Sequence, residues 1–512
     1  MAPPAEQKRE EGNAKTAGRG GLAVLFAKAY FIVTGLAQQA LLPKVLGHAG
    51  YGALSRVLAA SNIVNNVVIA SATQGVSRAT AQATGAEALV RQRLLRWHLG
   101  AAAVVALAYA ALVPGIVWFQ HAPHIKLPLL TMAVVLLVYG VYAPMVGYLN
   151  GTRQFQKQAA LDVLAATLRT LLLLFGGYLF VRQGQNGVLG AVVGASLASL
   201  VVVGIAAVVT RPQAGSARGS APLPSLKAYA AGLLPVVLAQ ACTNAVMQAD
   251  HLLLGRFLSE GASANTADEW LAAYRGCQLF AFLPYQMLFS VTQILFPMLA
   301  KVKAEGTPAE LAQLVSRGTR LGAIVVGLLV SVVCALPGSL LAFAYDRTIA
   351  IRGQGPLHIL ALAQATFAIL GLASTVLVSI GQERKALRVT LIALGTVAAA
   401  CIALVPGRPF GAPQLMASAT AALLGLGLAM LYAGYIVYRT TGAFVPRKTA
   451  LRVCLAVALA FGVGFLTPIT GRPLTIILAT LVAVAYLIVL VLTGELGRAE
   501  LTLLRTIAGK KP

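Results

Sequence analysis

The chain has 512 residues, of which 58% are hydrophobic and only 11% are charged, and its mean hydropathy is +0.80. This composition excludes an ordinary soluble domain, in which about 25% of residues are charged. The apolar residues form continuous runs of about the 20 residues that one helical membrane span requires, without the alternation of barrel strands. We therefore expect an all-α membrane protein.

Fourteen apolar runs follow one another along the chain, joined by short connections that leave no room for a soluble catalytic domain. We place the membrane spans at 21–43, 51–76, 97–119, 127–150, 159–181, 187–210, 228–254, 269–298, 318–343, 356–380, 389–405, 413–438, 451–470 and 474–494. Residues 1–20 are polar and lack the features of a signal peptide, so we expect polar tails at 1–20 and 495–512.

Lysine and arginine residues are distributed unevenly over the connections. With the amino terminus in the cytoplasm, 28 of the 40 lie on the cytoplasmic side, 8 on the external side and 4 within spans. This asymmetry follows the positive-inside rule, which accounts for the net charge of +25 without a nucleic-acid surface. The distribution predicts that both termini are cytoplasmic and that nucleic acid is not a partner.

The residue types that hold metals and nucleotides show no characteristic spacing. The five cysteines lie within apolar runs and form no CxxC pair, and the HAPH segment at 121–124 lies in a proline-containing turn. A GxxxxGK[ST] motif is absent from the sequence. We therefore expect no metal site and no cofactor, while an ion or proton gradient stays open as a source of energy.

The two halves of the chain share a loose internal repeat. A basic residue closes one span and a tyrosine opens the next, at Lys44 and Tyr51 and again at Arg256 and Tyr274. Internal repeats are common in transporters, whose substrate site lies between the repeats. The longest cytoplasmic connection, 211–227, is rich in Pro, Gly and Ser and is typical of a flexible linker between the halves.

Several ionisable side chains lie within the predicted spans, where a charge costs about 2.5–3.5 kcal/mol even on lenient scales. They are Lys28, Arg56, Asp162, Arg169, Asp250 and Arg275, with His251 beside Asp250. Snorkelling toward the membrane surface or structural pairing is an alternative for Arg56, Asp162 and Arg275, which lie near span ends. Lys28 and Arg169 lie deeper, and for these two we favour a functional role.

Polar residues form a stripe on each of four spans, at 100° per residue. The stripes are Lys28, Gly35 and Gln39; Ser55, Asn62, Asn66 and Thr73; Gln240, Asn244, Met247 and His251; and Arg275, Gln286 and Gln293. Hydrogen bonding between helices is the alternative explanation. Because the stripes fall on corresponding spans of the two halves, we predict a shared cavity. The surplus of positive charge in this cavity suits a phosphate group on the substrate. Asp250, Asp162 and His251 are candidate gating or coupling residues.

The chain resembles one known family in several segments, of which the order and spacing are more specific than any segment alone. They are LLPKVLGHAGYGALSRVLAASNIV with QGVSRATAQ, GYLNGTRQFQKQAALDVLAATLRT, LLPVVLAQACTNAVMQADHLLLGRFL and LPYQMLFSVTQILFPMLAKV. These are similar to segments of polysaccharide-type (Wzx-like) lipid flippases of the multidrug/oligosaccharidyl-lipid/polysaccharide exporter superfamily. The similarity extends over residues 20–495.

The resemblance implies a fold and an activity. The fold would be two six-helix bundles in a V shape, at 21–210 and 228–438, followed by two additional helices at 451–494. The activity would be flipping of undecaprenyl-diphosphate-linked sugar across the bacterial cytoplasmic membrane by alternating access, without enzymatic chemistry. Membrane lipids, glycan polymerases and glycosyltransferases are the partners that this activity implies, and the last two helices would be candidates for a groove that holds the lipid tail.

The resemblance also bears on single residues. In the lipid II flippase branch, cationic residues on the first, second and eighth spans line the cavity, and Lys28, Arg56 and Arg275 occupy those spans here. The Tyr-x-x-Arg pattern of that branch would place its arginine at Cys277, however. This difference favours the branch that serves capsule, O-antigen or exopolysaccharide synthesis.

Two other functions compete with the flippase. A cation-coupled multidrug exporter of the same superfamily would carry carboxylates in the cavity of its first bundle, and this chain offers only Asp162 there. A membrane glycan polymerase or ligase would need a larger external loop that bears catalytic residues.

Overall fold

The computed structural model describes residues 4–83, 85–211 and 225–497, with side chains from Phe26 onward except at 289, 290, 293 and 294. Within these ranges every regular element is a helix and no strand occurs. The structure thus confirms the predicted all-α fold. Most of the predicted linker and of the carboxy-terminal tail lies outside the described residues.

Fifteen α-helices make up the described chain, and a short 3-10 helix, Pro123–Ile125, precedes the third. They are α1 Pro4–Gln82, α2 Glu87–Gln120, α3 Lys126–Gly151, α4 Phe155–Arg182, α5 Gly187–Val209, α6 Leu226–Gly261, α7 Ala264–Ala281, α8 Leu283–Glu305, α9 Pro308–Ala335, α10 Pro337–Ala344, α11 Arg347–Ser379, α12 Glu383–Leu404, α13 Ala412–Thr441, α14 Arg447–Gly464 and α15 Arg472–Leu492.

Eleven of the described helices are long and apolar enough to cross a membrane. The first of these, Phe26–Gln82, has 57 residues and therefore accounts for both of the first two predicted spans. The expected loop between them is a break within α1, at Gly47, where φ is 71° and ψ is 173°. Glycine adopts this backbone conformation without a Cβ clash, which explains how the chain changes direction within one element.

Proline residues divide two predicted spans that we expected to be single helices. The eighth, 269–298, consists of α7 and α8, which meet at Phe282, just before Leu283 and Pro284. The ninth, 318–343, consists of α9 and the short α10, which meet at Leu336, just before Pro337. A proline ring lacks the N–H of an interior helical residue and disfavours helical geometry in the residue before it. The prediction of uninterrupted helices was therefore wrong at both places.

Residues up to Gln248 form one compact unit, and residues from Ala249 onward form a second. The boundary lies within α6, so the first part of that helix belongs to the first unit. The predicted bundle limits at the linker and the V-shaped arrangement of two bundles stay predictions.

In the first unit, α1 packs against α3 and α4, α3 also contacts α2 and α5, and α4 lies along α5. The contact between α4 and α5 depends on a close approach of their backbones. A Cβ atom at Gly194 of α5 would overlap the carbonyl oxygen of Leu172 in α4, so no larger residue fits there without a shift of the helices. This contact holds α4 in place.

In the second unit, α11 is the central helix. It contacts α7, α8, α9, α10, α12 and α13. Most of its side chains between Leu357 and Leu377 are buried, which is the pattern of a helix surrounded by others rather than one exposed to lipid.

The last two helices, α14 and α15, are docked on α9. The hydroxyl group of Tyr486 in α15 is buried and donates to the carbonyl oxygen of Ile324 in α9, at 3.0 Å. The hydroxyl group of Thr467, which follows α14, donates to the carbonyl oxygen of Ala335 at 2.7 Å. The opposite surfaces of both helices are apolar and exposed, as helices in contact with lipid require.

A buried carboxylate ties the end of α15 to the same helices. Glu495 is 2% exposed and accepts hydrogen bonds from Arg320 Nε at 2.7 Å, Thr449 Oγ1 at 2.6 Å and Arg452 Nη1 at 2.9 Å. Burial alone would raise the pKa of the Glu495 carboxyl, but the bonds from Thr449 and the two arginines outweigh it, so its pKa lies below the ordinary value. The carboxylate therefore stays ionised at neutral pH.

Candidate functional site

Polar side chains line the contact between the first part of α1 and α4, which we call the α1–α4 seam. The hydroxyl groups of Tyr30 and Thr167 share a hydrogen bond of 2.8 Å, and Thr170 Oγ1 donates to Gln38 Oε1 at 3.2 Å. The residue numbers of the partners rise together along both helices, so the two helices run parallel. The first part of α1 and α4 correspond to the first and fifth predicted spans. Odd-numbered spans of a polytopic protein all cross the membrane in the same direction, so the observed parallel packing agrees with the predicted order of spans.

The seam brings together three of the charged residues that the sequence singled out. The side chain of Lys28 is exposed and interacts electrostatically with half-buried Asp162 of α4. The guanidinium group of Arg169 lies over the ring of Phe31, 5.1 Å from its centroid. Its Nε atom is buried and has no hydrogen-bond partner in the described chain. A bound anion or an ordered water can satisfy a buried donor of this kind.

Arg56 has a different environment. It is 1% exposed, and its Nη1 atom donates to Gln120 at the end of α2, to the carbonyl oxygen at 3.4 Å and to Oε1 at 3.3 Å. Gln39, from the same predicted site, accepts a bond of 2.8 Å from the buried Tyr51 hydroxyl. The structure therefore shows no snorkelling of Arg56 to the membrane surface; its guanidinium is held inside the first unit.

Two amides of the predicted cavity bind each other. Asn66 Nδ2 of α1 donates to Asn244 Oδ1 of α6 at 2.7 Å, and Asn244 Nδ2 donates to the carbonyl oxygen of Gln240 at 2.9 Å. Asn62 is half-buried one turn before Asn66. The pair gives weight to the alternative that these amides join helices, although Asn66 remains exposed.

A second polar cluster, which we call the Asp250 cluster, lies in the second unit. Asp250 is 3% exposed and accepts hydrogen bonds from the Tyr274 hydroxyl at 2.7 Å, the His251 amide at 2.8 Å and Gln278 Nε2 at 3.4 Å. Ser418 of α13 donates to the Tyr274 hydroxyl at 3.4 Å. The buried His251 ring lies 6.3 Å from the Tyr274 ring. The carboxylate is thus enclosed by protein donors.

Arg275 reaches this cluster indirectly. Its Nη1 atom donates to Gln278 Oε1 at 3.0 Å, and Gln278 in turn donates to Asp250. Among the described residues, Asp250 and Arg275 form no direct ion pair, because Gln278 lies between them as a bridge. The similar depth of the two residues in the membrane suggested a direct ion pair. In the structure they are connected instead by the two hydrogen bonds of Gln278. Pairing of Asp250 with Arg56 stays a prediction.

The predicted stripe of the eighth span is interrupted by the helix break at Phe282. Arg275 lies on α7, whereas Gln286 lies on α8 and is exposed. The side chain of Gln293 lies outside the described residues. A single helical phase does not extend through the break, so the sequence pattern does not establish a shared face for these residues. The shared cavity between the halves likewise stays a prediction.

Sequence reasoning missed several residues of both sites. They are Tyr30, Gln38, Thr167 and Thr170 in the α1–α4 seam and Tyr274, Gln278 and Ser418 in the Asp250 cluster. Tyrosine and threonine are common in apolar helices, so their hydroxyl groups leave no mark on a hydropathy pattern. Two signals were available: Gln38 and Gln278 are amides within predicted apolar spans.

The next feature is the arrangement of possible metal ligands in the described part of the chain. No group of three or more His, Cys, Asp or Glu residues is arranged there to hold a metal ion. The seam itself offers hydroxyl, amide, ammonium, guanidinium and carboxylate groups, and its donors can recognise an anion by hydrogen bonds and charge.

Comparisons with known proteins bear on the fold and the family. The fold is similar to that of lipid II flippase MurJ in an inward closed conformation, with a TM-score of 0.65, 14% identity, and coverage of 92% of this chain and 97% of that chain. They are also similar to a MATE family multidrug resistance transporter in an inward-facing conformation, with a TM-score of 0.59, 14% identity, and coverage of 81% and 96%. Identities this low establish a shared fold only.

A third similar structure is a MOP superfamily transporter from Pyrococcus furiosus, described as having a binding pocket of reverse polarity, with a TM-score of 0.57, 12% identity, and coverage of 83% and 95%. Comparison with curated protein sequences gives no significant match. A family model described as "Polysaccharide biosynthesis protein" matches residues 41–347, which is more than half of the chain. The chain therefore belongs to this family of polysaccharide biosynthesis proteins and has the multi-pass helical fold of the MurJ and MATE transporters.

Proposed function

We propose that this protein is a flippase for undecaprenyl-diphosphate-linked oligosaccharide in the bacterial cytoplasmic membrane. By alternating access it moves the lipid-linked precursor from the cytoplasmic to the external leaflet for capsule, O-antigen or exopolysaccharide synthesis. Both termini are cytoplasmic. The observation that carries the proposal is the α1–α4 seam, which places two cations and one carboxylate among hydrogen-bonding side chains in a membrane-embedded helix pair.

The groups of the seam match a diphosphate. Lys28 offers three rotatable N–H donors on an exposed side chain, and Arg169 offers a planar guanidinium that Phe31 supports from one face. In the described part of the seam, Asp162 is the carboxylate that interacts electrostatically with Lys28, so two cations face one carboxylate there. Charge-assisted hydrogen bonds to phosphate oxygens are stronger than neutral ones, and the low dielectric of the membrane strengthens them further.

The physical problem of flipping matches this arrangement. The sugar and diphosphate are too polar to cross about 30 Å of hydrocarbon unaided, while the polyprenyl tail is soluble in it. A flippase needs a polar path for the head group and an apolar surface for the tail. The exposed apolar faces of α14 and α15 are candidates for that surface, with anchoring of the carboxy terminus as the alternative role.

Flipping requires binding and release but no bond chemistry, so we infer that the protein is not an enzyme. An ion or proton gradient can supply the energy, with Asp162 as a candidate coupling residue and with Asp250 and His251 as candidate gating residues. Glycan polymerases and glycosyltransferases would act on the same precursor before and after it crosses.

The experiment that tests the proposal is deletion of the gene followed by measurement of where the precursor accumulates. We expect lipid-linked precursor on the cytoplasmic leaflet, inaccessible to a membrane-impermeant probe added from outside. Wild-type protein should restore access, whereas Lys28→Ala and Arg169→Ala should not, at equal protein levels. Lys44→Ala, on α1, and Arg182→Ala, on α4, are matched controls because they remove exposed charges from the same helices outside the seam.

Each competing function predicts a different result. If the precursor reaches the external leaflet normally in the deletion strain and only glycan chain length changes, the protein is a polymerase or a regulator. If precursor distribution is normal and resistance to cationic drugs falls, it is a multidrug exporter. Either result overturns the proposal.

A further inference from the structure

A small cavity lies between the end of α12 and the start of α13, in the second unit. Its volume is about 300 Å³, and it is lined by Leu404, Arg408, Pro413, Met416, Ala417 and Thr420. The walls are mostly apolar, with one cation and one hydroxyl group. Since the loop between two membrane helices lies at the membrane surface, the cavity lies where lipid head groups are found.

The loop that carries Arg408 is held in a defined conformation. Residues 405–411 contain two prolines, and Gly407 and Gly411 have φ values of 73° and 96°. Phe410 packs edge-on against Trp270, with ring centroids 6.3 Å apart, and lies against Gly261 at the end of α6. The arginine is therefore presented to the cavity from a loop that is anchored on two other helices.

The charge of Arg408 is available to a ligand. Its Nε atom donates to the carbonyl oxygen of Leu404 at 3.4 Å, and no carboxylate of the described chain forms an ion pair with it. The bond to Leu404 is a helix C-terminal contact, which favours a cation there. It engages Nε and leaves the two terminal nitrogens of the guanidinium for other acceptors.

The apolar wall of the cavity continues along the surface of α13. Leu424, Leu428 and Leu431 follow Thr420 at intervals of three or four residues, so all four lie on one face of the helix. The three leucines are exposed, as side chains in contact with hydrocarbon are in a membrane protein. A molecule that binds in the cavity can thus extend apolar chains along this face.

We infer that the cavity binds the head group of one anionic phospholipid. Its phosphate would accept hydrogen bonds from Arg408, its glycerol would lie beside Thr420 and its acyl chains would follow the leucines of α13. A zwitterionic lipid fits less well, because its ammonium group would lie next to the arginine. In the predicted orientation the lipid belongs to the external leaflet. The inference is independent of the proposed flipping activity, since it concerns a different part of the fold.

The test uses purified full-length protein and native mass spectrometry, with phosphatidylglycerol and phosphatidylethanolamine of identical acyl chains. We expect one retained phosphatidylglycerol molecule per protein at lipid concentrations where phosphatidylethanolamine gives none. Arg408→Gln should reduce the retained phosphatidylglycerol about tenfold, the size expected for loss of a charged hydrogen-bond donor. The matched control is Arg472→Gln, which removes an exposed arginine at the start of α15 and should leave retention unchanged.

A second variant tests the cavity without changing charge. Ala417→Phe fills the space and should also release phosphatidylglycerol, while thermal melting in detergent confirms that the variant is folded. Equal retention in the wild type and Arg408→Gln overturns the inference. So does equal loss in Arg472→Gln, which would indicate unspecific attraction by surface charge, and so does equal retention of phosphatidylethanolamine and phosphatidylglycerol by the wild type.

Discussion

The α1–α4 seam and the Asp250 cluster both place charged residues within membrane helices, but they treat those charges in opposite ways. In the seam, Lys28 is exposed and Arg169 has a buried nitrogen without a hydrogen-bond partner in the described chain. In the cluster, Asp250 is almost fully buried and accepts three hydrogen bonds from protein donors. A charge enclosed by protein donors stabilises a fold, whereas an exposed ammonium group and a buried guanidinium nitrogen with spare donor capacity can bind a ligand.

This difference separates candidate site residues that the sequence placed in one group. Arg56 resembles the Asp250 cluster in its burial, and its Nη1 atom donates to Gln120. Lys28 and Arg169 remain the candidate residues that we propose for binding the cargo. Substitutions in the cluster should therefore affect stability first, and substitutions in the seam should affect transport with little effect on stability.

The largest change in stability should come from Asp250→Ala. It leaves the buried donors of Tyr274 and Gln278 without their acceptor, and each stranded donor costs about 1–3 kcal/mol. We expect a loss of about 3 kcal/mol or more, seen as a lower melting temperature in detergent. Lys28→Ala is the comparison variant from the seam and should change stability by less than about 0.5 kcal/mol. If the two variants had the same melting temperature, the proposed distinction between the Asp250 cluster and the α1–α4 seam would be wrong.

The scaffold of the seam can be tested at Gly194. Alanine there would force its Cβ against the Leu172 carbonyl and separate α4 from α5, and overpacking of this kind costs about 1–3 kcal/mol. Gly204, on the same helix, has open space around it and is the matched control. Gly204→Ala should be neutral or slightly stabilising, because alanine favours a helix by about 1 kcal/mol over glycine. Chemical denaturation or melting in detergent compares the two, and a stable Gly194→Ala protein would show that α4 is held more loosely than we propose.

The Glu495 carboxylate gives a prediction about pH. Glu495→Gln should lower stability by about 1–2 kcal/mol at pH 7. This is less than the 3–5 kcal/mol typical of a broken buried ion pair, since Arg320 and Arg452 are partly exposed. Because the pKa in the folded protein lies below its ordinary value of about 4.3, the stabilisation is complete above that value. It is lost as the pH falls through the folded pKa. Melting curves of the wild type and the variant should therefore differ at pH 7 and converge in acid; a difference that persists in acid would contradict this assignment.

The smallest effect should be that of Arg275→Gln. Arg275 contacts the cluster only through Gln278 and is partly exposed, so we expect a loss below about 1 kcal/mol. A double-mutant cycle between Arg275 and Asp250 should show coupling that disappears in a Gln278→Leu background. Coupling that survives this substitution would mean that the two charges interact directly.

The sequence predicted most of the fold because bilayer thickness sets the length of each apolar run. The expected break between the first two spans falls at Gly47, but the sequence failed where single prolines decide the backbone: Pro284 and Pro337 divided two expected helices. Hydropathy averages over about twenty residues, so a break at one residue is invisible to it.

The candidate site was predictable only in part. Lys28 and Arg169 stand out because a charge in an apolar run is rare, and the structure brings both to one seam. The burial of Arg56 and the bridge through Gln278 depend on which helices become neighbours, which one sequence does not specify. The hydroxyl groups of Tyr30 and Thr167 escaped notice because their residue types are ordinary in membrane helices.

The central claim is that Lys28 and Arg169 of the α1–α4 seam bind a lipid-linked diphosphate as it crosses the membrane. Its most direct test is transport in proteoliposomes, with lipid-linked oligosaccharide in the bilayer and a membrane-impermeant probe outside. We predict that wild-type protein exposes the inner-leaflet substrate to the probe. The Lys28→Ala, Arg169→Ala double variant should do so at least tenfold more slowly, the loss expected when charged donors are removed. The control double variant Lys44→Ala, Arg182→Ala should match the wild type. Transport by the seam variant at the wild-type rate, or the absence of transport by the wild type, would contradict the account.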